Sequence, residues 1–318
     1  MADKNKYEHL KKLIQAFSDH CGGTVYHYTT ADGIFGIIDK HEIWMSNTAF
    51  MNDTTELRAL AKATGIRDSD FTNEAVKKAW REGVGRDGLK ENVYYMASFS
   101  KDGDSLERWR AYGNFCIGFD AKQLAVKRRI HLYECAYGDD AIRKWISEKE
   151  SLPEWASLPE RTSLPDDVDQ RENAAYNLLD IASMKCKHIK FGAEAEIRLI
   201  ATSHHKWAYP KSPCMYEDDV PIHFRPHRLC GFVPYLKFFI ERESNNRPEV
   251  PEETEMQMKE RKLREEAIKE RALLPIKEVI VGPMAHKEEA RIAYEILLPE
   301  KGYKDVEVKV SGIPYRGI

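Results

Sequence analysis

Residues 191–201, Phe-Gly-Ala-Glu-Ala-Glu-Ile-Arg-Leu-Ile-Ala, constrain the fold more than any other part of the chain. Read as a strand, successive side chains alternate faces, so Ala193, Ala195, Ile197 and Leu199 point one way and Glu194, Glu196 and Arg198 the other. One face is core and the other is a charged row. Two carboxylates spaced two apart repel each other, and an arginine two further on relieves part of that repulsion. The apolar continuation through Leu199, Ile200 and Ala201 implies a largely buried strand, where carboxylates are costly unless paired or used. The row is therefore either a set of ion pairs or a site.

The elements around it follow from periodicity. Strand patterns occupy 24–30, 42–46, 93–100, 114–120, 129–137 and 235–241. The first puts Val25, His27 and Thr29 on one face; the third separates Val93, Tyr95, Ala97 and Phe99 from Tyr94, Met96, Ser98 and Ser100. Helical spacing marks 4–20, which is amphipathic through Tyr7, Leu10, Ile14 and Phe17, and 32–39 through Ile34, Ile37 and Ile38. Asn52-Asp53 with Glu56 three residues after Asp53 forms a capping box that starts a helix running to about 64. Further helices are expected at 71–82 and 106–112. The C-terminal part reads as a β-α-β unit: strand 276–281, Gly282-Pro283, a helix over 286–298 with Ala290, Ala293 and Leu297 inward, then strand 306–310.

Two stretches stand apart. Ser-Leu-Pro recurs at Ser151, Ser157 and Ser163, which marks a surface excursion over 148–168, and 252–274 is a charged helix with i,i+4 Glu-to-Lys/Arg pairs. The expected organisation is an N-terminal amphipathic helix over 1–23 followed by a single domain over 24–318.

Composition narrows the setting. The chain is 318 residues long with 49 Lys and Arg against 52 Asp and Glu, so no overall basic charge points to nucleic acid. No apolar run reaches the roughly 18 residues that span a bilayer, and no signal-peptide core is present. Its six cysteines are scattered without a C-x-x-C pair, which suits a reducing compartment. A soluble, cytoplasmic protein without a membrane partner is expected.

Three strands place polar groups at alternate positions: His27 with Thr29, Ser98 with Ser100, and Glu194 with Glu196. The order H-x-T, S-x-S, E-x-E resembles the ADP-ribosyltransferase superfamily. More closely, the chain resembles an uncharacterised bacterial domain family through His27-Tyr-Thr, Trp44-Met-Ser46, Asn52-Asp-Thr-Thr-Glu56, Ser98-Phe-Ser100, Trp109-Arg-Ala-Tyr112, Ile117-Gly-Phe-Asp120, 191–198 and Val281-Gly-Pro283.

The superfamily resemblance implies an α+β fold with a mixed, mainly antiparallel central sheet split around a cleft, helices outside, and the C-terminal β-α-β unit joined to it. It implies NAD as substrate and an acceptor that is protein, nucleic acid or a small molecule, in bacterial stress, toxin or phage-defence biology. Breaking the nicotinamide–ribose bond develops positive charge on the sugar, which a carboxylate stabilises. Glu196 would take that role and Glu194 would position or deprotonate the acceptor. His27 would bind the adenosine-side ribose, with Tyr28 and Thr29 along the nicotinamide amide. Ser98 and Ser100 would support the catalytic strand and sugar. Arg198 would hold a phosphate or pair with Glu196, and Trp109 with Tyr112 would stack on a ring or pack in the core. The nicotinamide-stacking tyrosine has four candidates in Tyr28, Tyr94, Tyr95 and Tyr112.

Other chemistries have weaker footing. A degenerate member would bind a nucleotide or a nucleic-acid end without catalysis. His223, His227, Cys230 and Cys214 are zinc-ligand types, but Pro226 and the spacing fit no standard finger. Glu194, Glu196, Asp53 and Glu56 are the residue types of a metal-dependent nuclease or phosphoesterase. No metal is expected, and the oligomeric state is open. P-loop, dinucleotide-glycine and serine-elbow motifs are absent.

Overall fold

The computed structural model describes residues 22–50, 93–124, 130–142, 184–203, 222–227, 231–240 and 271–314, with isolated positions at 63, 67, 69, 73, 74 and 77. The amphipathic 4–20 stretch, the capping box with Asn52, Asp53 and Glu56, the excursion at 148–168, Cys214, Cys230 and nearly all of the 252–274 helix lie outside the described residues. In chain order the described elements are β1 Thr24–Thr29, α1 Ala31–Lys40, β2 Ile43–Asn47, β3 Val93–Ser100, α2 Leu106–Tyr112, β4 Phe115–Asp120 and the short α3 Ala121–Leu124. These are followed by β5 Ile130–Glu134, β6 Ala136–Tyr137, β7 Cys186–Lys187, β8 Glu196–Ser203, β9 His223–His227, β10 Gly231–Phe238, β11 Ile276–Val281, α4 Lys287–Glu300 and β12 Glu307–Val310. The protein is mixed α and β, and its sheet is open and mainly antiparallel. Among the described residues no helix is long and apolar enough to cross a membrane.

The chain forms two compact units. One comprises Met1–Cys21, Ser46–Ser98 and Arg129–Tyr235, the other Gly22–Met45, Phe99–Arg128 and Leu236–Ile318. The division falls inside β2, β3 and β10, so these strands contribute residues to both.

In the second unit the strand order is β12, β11, β4, β1 and the end of β3. β1 runs antiparallel to β4 from Thr24 opposite Asp120 to Thr29 opposite Phe115, and β11 lies antiparallel on the other side of β4. β11 and β12 pair in parallel, Val281 opposite Val310, with α4 as the crossover, as the C-terminal pattern predicts. The helix is turned by one residue from expectation: Tyr294 and Leu298 are its buried side chains, and Ala293 is exposed. Tyr294 packs on Phe115 with ring centroids 5.2 Å apart, a contact Ala293 is too short to make. α1 buries Ile34, Ile37 and Ile38 as its spacing requires, and its N-cap Thr30 accepts from the Gly33 N–H at 3.2 Å.

In the first unit β8 pairs with β3 and β5. β5 and β8 are antiparallel, with Tyr133 opposite Arg198 and Leu132 opposite Leu199. The expected single strand over 129–137 breaks at Cys135, whose N–H donates to the Glu196 carbonyl at 3.0 Å. Beyond that break β6 joins β7 in a separate parallel pair, Tyr137 opposite Lys187. Tyr94, Met96, Tyr133, Met184 and Ile200 make a core cluster beneath these strands. β9 and β10 form an antiparallel hairpin, of which the expected strand over 235–241 covers only the end of β10.

Candidate functional site

The opening stretch of the sequence departs from a continuous strand in one respect. Residues Ile189–Glu194 form a 3-10 helix, Ala195 is left-handed with φ 42°, and β8 starts only at Glu196. Glu194 therefore does not share a strand face with Glu196 and Arg198. The left-handed residue, uncommon for a side chain with Cβ, turns the chain sharply, and the Glu196 N–H beyond it donates to the Tyr137 hydroxyl at 2.5 Å.

Both faces of β8 are buried. Ile197 and Leu199 are fully covered, and so are Glu196 at 2% and Arg198 at 0% exposure. Glu196 and Arg198, two apart on one face, meet directly with Nη2 2.9 Å from Oε2. The Lys187 ammonium reaches the same oxygen at 2.7 Å and Glu194 Oε2 at 2.7 Å, so it bridges the two carboxylates. The Ser98 hydroxyl on β3 also hydrogen-bonds the Glu196 carboxylate. The Cys135 thiol stands 3.9 Å from Oε2, and Arg198 Nη1 donates to the Met184 carbonyl.

Burial alone would push the Glu196 carboxyl up. Arg198, Lys187 and the Ser98 hydroxyl outweigh it and hold the group at about 2, so it is an anion at neutral pH. Burial works the other way on Lys187, and the Glu196 charge more than compensates, leaving the ammonium harder to deprotonate than usual. The cluster is a charge-balanced network built where β7 ends and β8 starts, and Lys187 is its member that sequence reasoning missed. Its partner β6 lies far away in the chain, so the only trace is the alternation Lys185-Cys186-Lys187, which two residues of strand are too short to make legible.

The remaining candidates belong to the second unit. His27 on β1 is half-buried with its ring tilted against Phe99 at 5.5 Å. Tyr28 is buried; its hydroxyl donates to the Asp102 carbonyl at 2.8 Å and accepts from the Ser105 N–H at 2.9 Å. Burial pushes that phenol far above its ordinary range, which keeps it neutral. Ser100 is buried and its hydroxyl accepts from the Asp102 N–H at 3.1 Å. Trp109 packs edge-on to Tyr28 at 4.6 Å and its indole donates to Asp104 at 2.8 Å. Tyr112 on the same helix is 42% exposed, with the Arg108 guanidinium 5.5 Å from its ring centre. Of the pair, Trp109 is the core residue and Tyr112 the accessible ring.

The Val-Gly-Pro glycine has a packing explanation in this unit. A Cβ on Gly282 would lie 2.8 Å from the Trp109 ring and 3.0 Å from the Asn114 carbonyl, so the indole needs the bare backbone there. A second buried carboxylate, Glu42, accepts from the Trp44 indole at 2.8 Å and from Arg271 at 2.6 Å, with Lys237 at 3.3 Å. Burial opposes its ionisation, and the indole, Arg271 and Lys237 together lower its pKa.

The structure thus gathers Ser98, Glu194, Glu196 and Arg198 in one unit and holds His27, Tyr28, Thr29, Ser100, Trp109 and Tyr112 in the other. His223 and His227 both sit on β9. Among the described residues no group of three His, Cys, Asp or Glu side chains is placed to hold a metal ion. Compared with protein-family models, with curated proteins and with solved structures, the chain matches none.

Proposed function

We propose that the chain is an NAD-consuming enzyme of the ADP-ribosyltransferase or NAD glycohydrolase kind, with Glu196 as the carboxylate that faces the sugar. The observation that carries this reading is the hydrogen bond from Ser98 to Glu196. The resemblance asks for a serine of the middle motif supporting the strand of the late glutamate, and these two residues are far apart in sequence.

The chemistry follows from the charges. As the bond from ribose C1′ to the nicotinamide nitrogen breaks, its electron pair leaves with nicotinamide and the sugar becomes cationic. Glu196, anionic at neutral pH, stabilises that charge. Glu194, the more accessible carboxylate, takes the proton lost by water or by an acceptor as it adds to C1′. Lys187 lies against both carboxylates, where a cationic sugar would be neutralised, and gives up that position as the sugar enters.

Nicotinamide release from NAD tests it. Wild type should turn over, and Glu196→Gln should lose about a hundredfold or more in kcat. A second reading is favoured by the 2% exposure of Glu196: its network is structural and the chain binds nucleotide without cleaving it. No release from wild type, together with a rise in Tm on adding NAD, would select that binder.

A further inference from the structure

The cover on Glu196 includes a segment that is lightly built. Lys187 Nζ, 2.7 Å from Glu196 Oε2, is met from the 3-10 helix Ile189–Glu194 by Glu194 Oε2 at 2.7 Å and by the Phe191 ring, whose centre is 4.9 Å away. Beneath these two side chains the lysine is nearly sealed, and the carboxylate with it. At the other end of the segment Ile189 lies against the turn after β6. A Cβ on Gly138, whose φ is 78°, would come within 3.1 Å of the isoleucine's own Cβ. The segment therefore closes down at two points, Ile189 on the turn and Glu194 with Phe191 on the lysine.

Its own structure favours movement. No side chain from Ile189 to Glu194 is buried, and Ile189 is mostly exposed. Hydrogen bonds in a 3-10 helix have poorer geometry than those of an α-helix, and runs beyond three or four residues are uncommon; this one has six. Both ends suit a pivot. His188 is extended, with φ −65° and ψ 142°, and Ala195 is left-handed, with φ 42° and ψ 46°, a conformation that a residue carrying Cβ disfavours. Few buried contacts and a strained joint are what local opening draws on. Just beyond Ala195, by contrast, Ile197 and Leu199 are fully buried and fix β8. Swinging the segment away breaks the Glu194–Lys187 pair and lifts Phe191 off the ammonium, while Arg198 keeps its hold on Glu196 at 2.9 Å.

We propose that Ile189–Glu194 is a lid over Glu196, turning between His188 and Ala195 and latched by the Glu194–Lys187 ion pair. It governs access to the carboxylate of the NAD reading, but its test uses no NAD, so either can fail without the other. The reporter is Cys135, buried with Sγ 3.9 Å from Glu196 Oε2. The reference is Cys186, fully buried on β7 and on the opposite face from its neighbour Lys187. The full chain is treated with iodoacetamide under native conditions, and modification of each thiol is followed by peptide mass spectrometry. In wild type Cys135 should react about tenfold or more faster than Cys186, at a rate that low urea concentrations barely change, because the opening exposes little surface. Glu194→Gln should raise the Cys135 rate about threefold, and Phe191→Ala/Glu194→Gln about tenfold or more, with Cys186 unchanged. Equal wild-type rates for the two thiols, or a Cys135 rate that climbs with urea in step with Cys186, overturns the proposal, since Cys135 is then reached only by wider unfolding; these two results need no variant. A Cys135 rate that the variants leave unchanged, or raise only together with that of Cys186, overturns it as well.

Discussion

Glu196 and Glu42 are both buried carboxylates held by an arginine, a lysine and a neutral donor, yet their surroundings differ. Around Glu196 the arginine and lysine are nearly sealed, at 0% and 6% side-chain exposure, and a second carboxylate shares the lysine. Around Glu42 the arginine is at 9% and the lysine at 25%, and each has a route to water. The Glu42 cluster ties the end of α1 to Arg271, which also donates to the Lys40 carbonyl at 3.0 Å. It reads as a clasp. In the Glu196 cluster two anions share the Lys187 ammonium, with Arg198 on the buried one, at the turn into a buried strand, which resembles a site held in its ionised form. The comparison teaches that carboxylate burial alone does not separate the two; sharing of the cation by a part-exposed second carboxylate does.

The largest expected effect breaks that comparison through its arginines. Arg198→Met leaves Glu196 buried with half its counter-charge, and should cost about 3–5 kcal/mol in denaturant unfolding. Arg271→Met should cost about 1–2 kcal/mol, since Glu42 keeps the Trp44 indole and a lysine near solvent. Equal losses would mean that the two clusters do the same structural job.

Acid should sharpen it next. The Glu196 pKa is depressed in the folded protein, so its contribution is fully present above the unfolded carboxyl value near 4.3 and is lost as pH falls towards about 2. Tm measured from roughly pH 5 downward should fall along that limb in wild type, and Glu196→Gln should flatten it whatever its own starting stability. Glu42→Gln should flatten a part of the same limb, in keeping with its lowered pKa. A Glu196→Gln curve parallel to wild type would remove the ionised network from the argument.

The smallest effect concerns Glu194. Its side chain is 23% exposed and its partner has a second anion, so Glu194→Gln should change stability by less than about 1 kcal/mol. A loss as large as that of Glu196→Gln would make the pair one structural unit and weaken the separate acceptor-side role assigned to Glu194.

Legibility followed the reach of the interactions. β3, α2 and the C-terminal β-α-β unit could be read because their period, length and flanking turn residues all lie within a short window. Of the β9–β10 hairpin only the end of β10 could, within the expected strand over 235–241; the rest was hidden because Pro226 and Pro234 remove backbone donors and a proline inside a run argues against a strand. Pro226 is tolerated on a strand whose only described partner is β10. The start of β8 was misplaced because alternation alone does not reveal the left-handed turn at Ala195 or the Tyr137 hydroxyl that meets the next N–H.

By itself the sequence determined that Glu196 and Arg198 would share a face of a buried strand and that Ser98 belonged to another strand with polar groups at alternate positions. A two-residue period is enough for both statements. Only the tertiary structure decided that Lys187 bridges Glu194 and Glu196, that Glu196 and Arg198 are sealed from water while Glu194 is not, and that Phe224 and Phe232 surface together. Those facts depend on which distant strands pair and in what register, and pairing energy comes from neighbours that local periodicity does not encode.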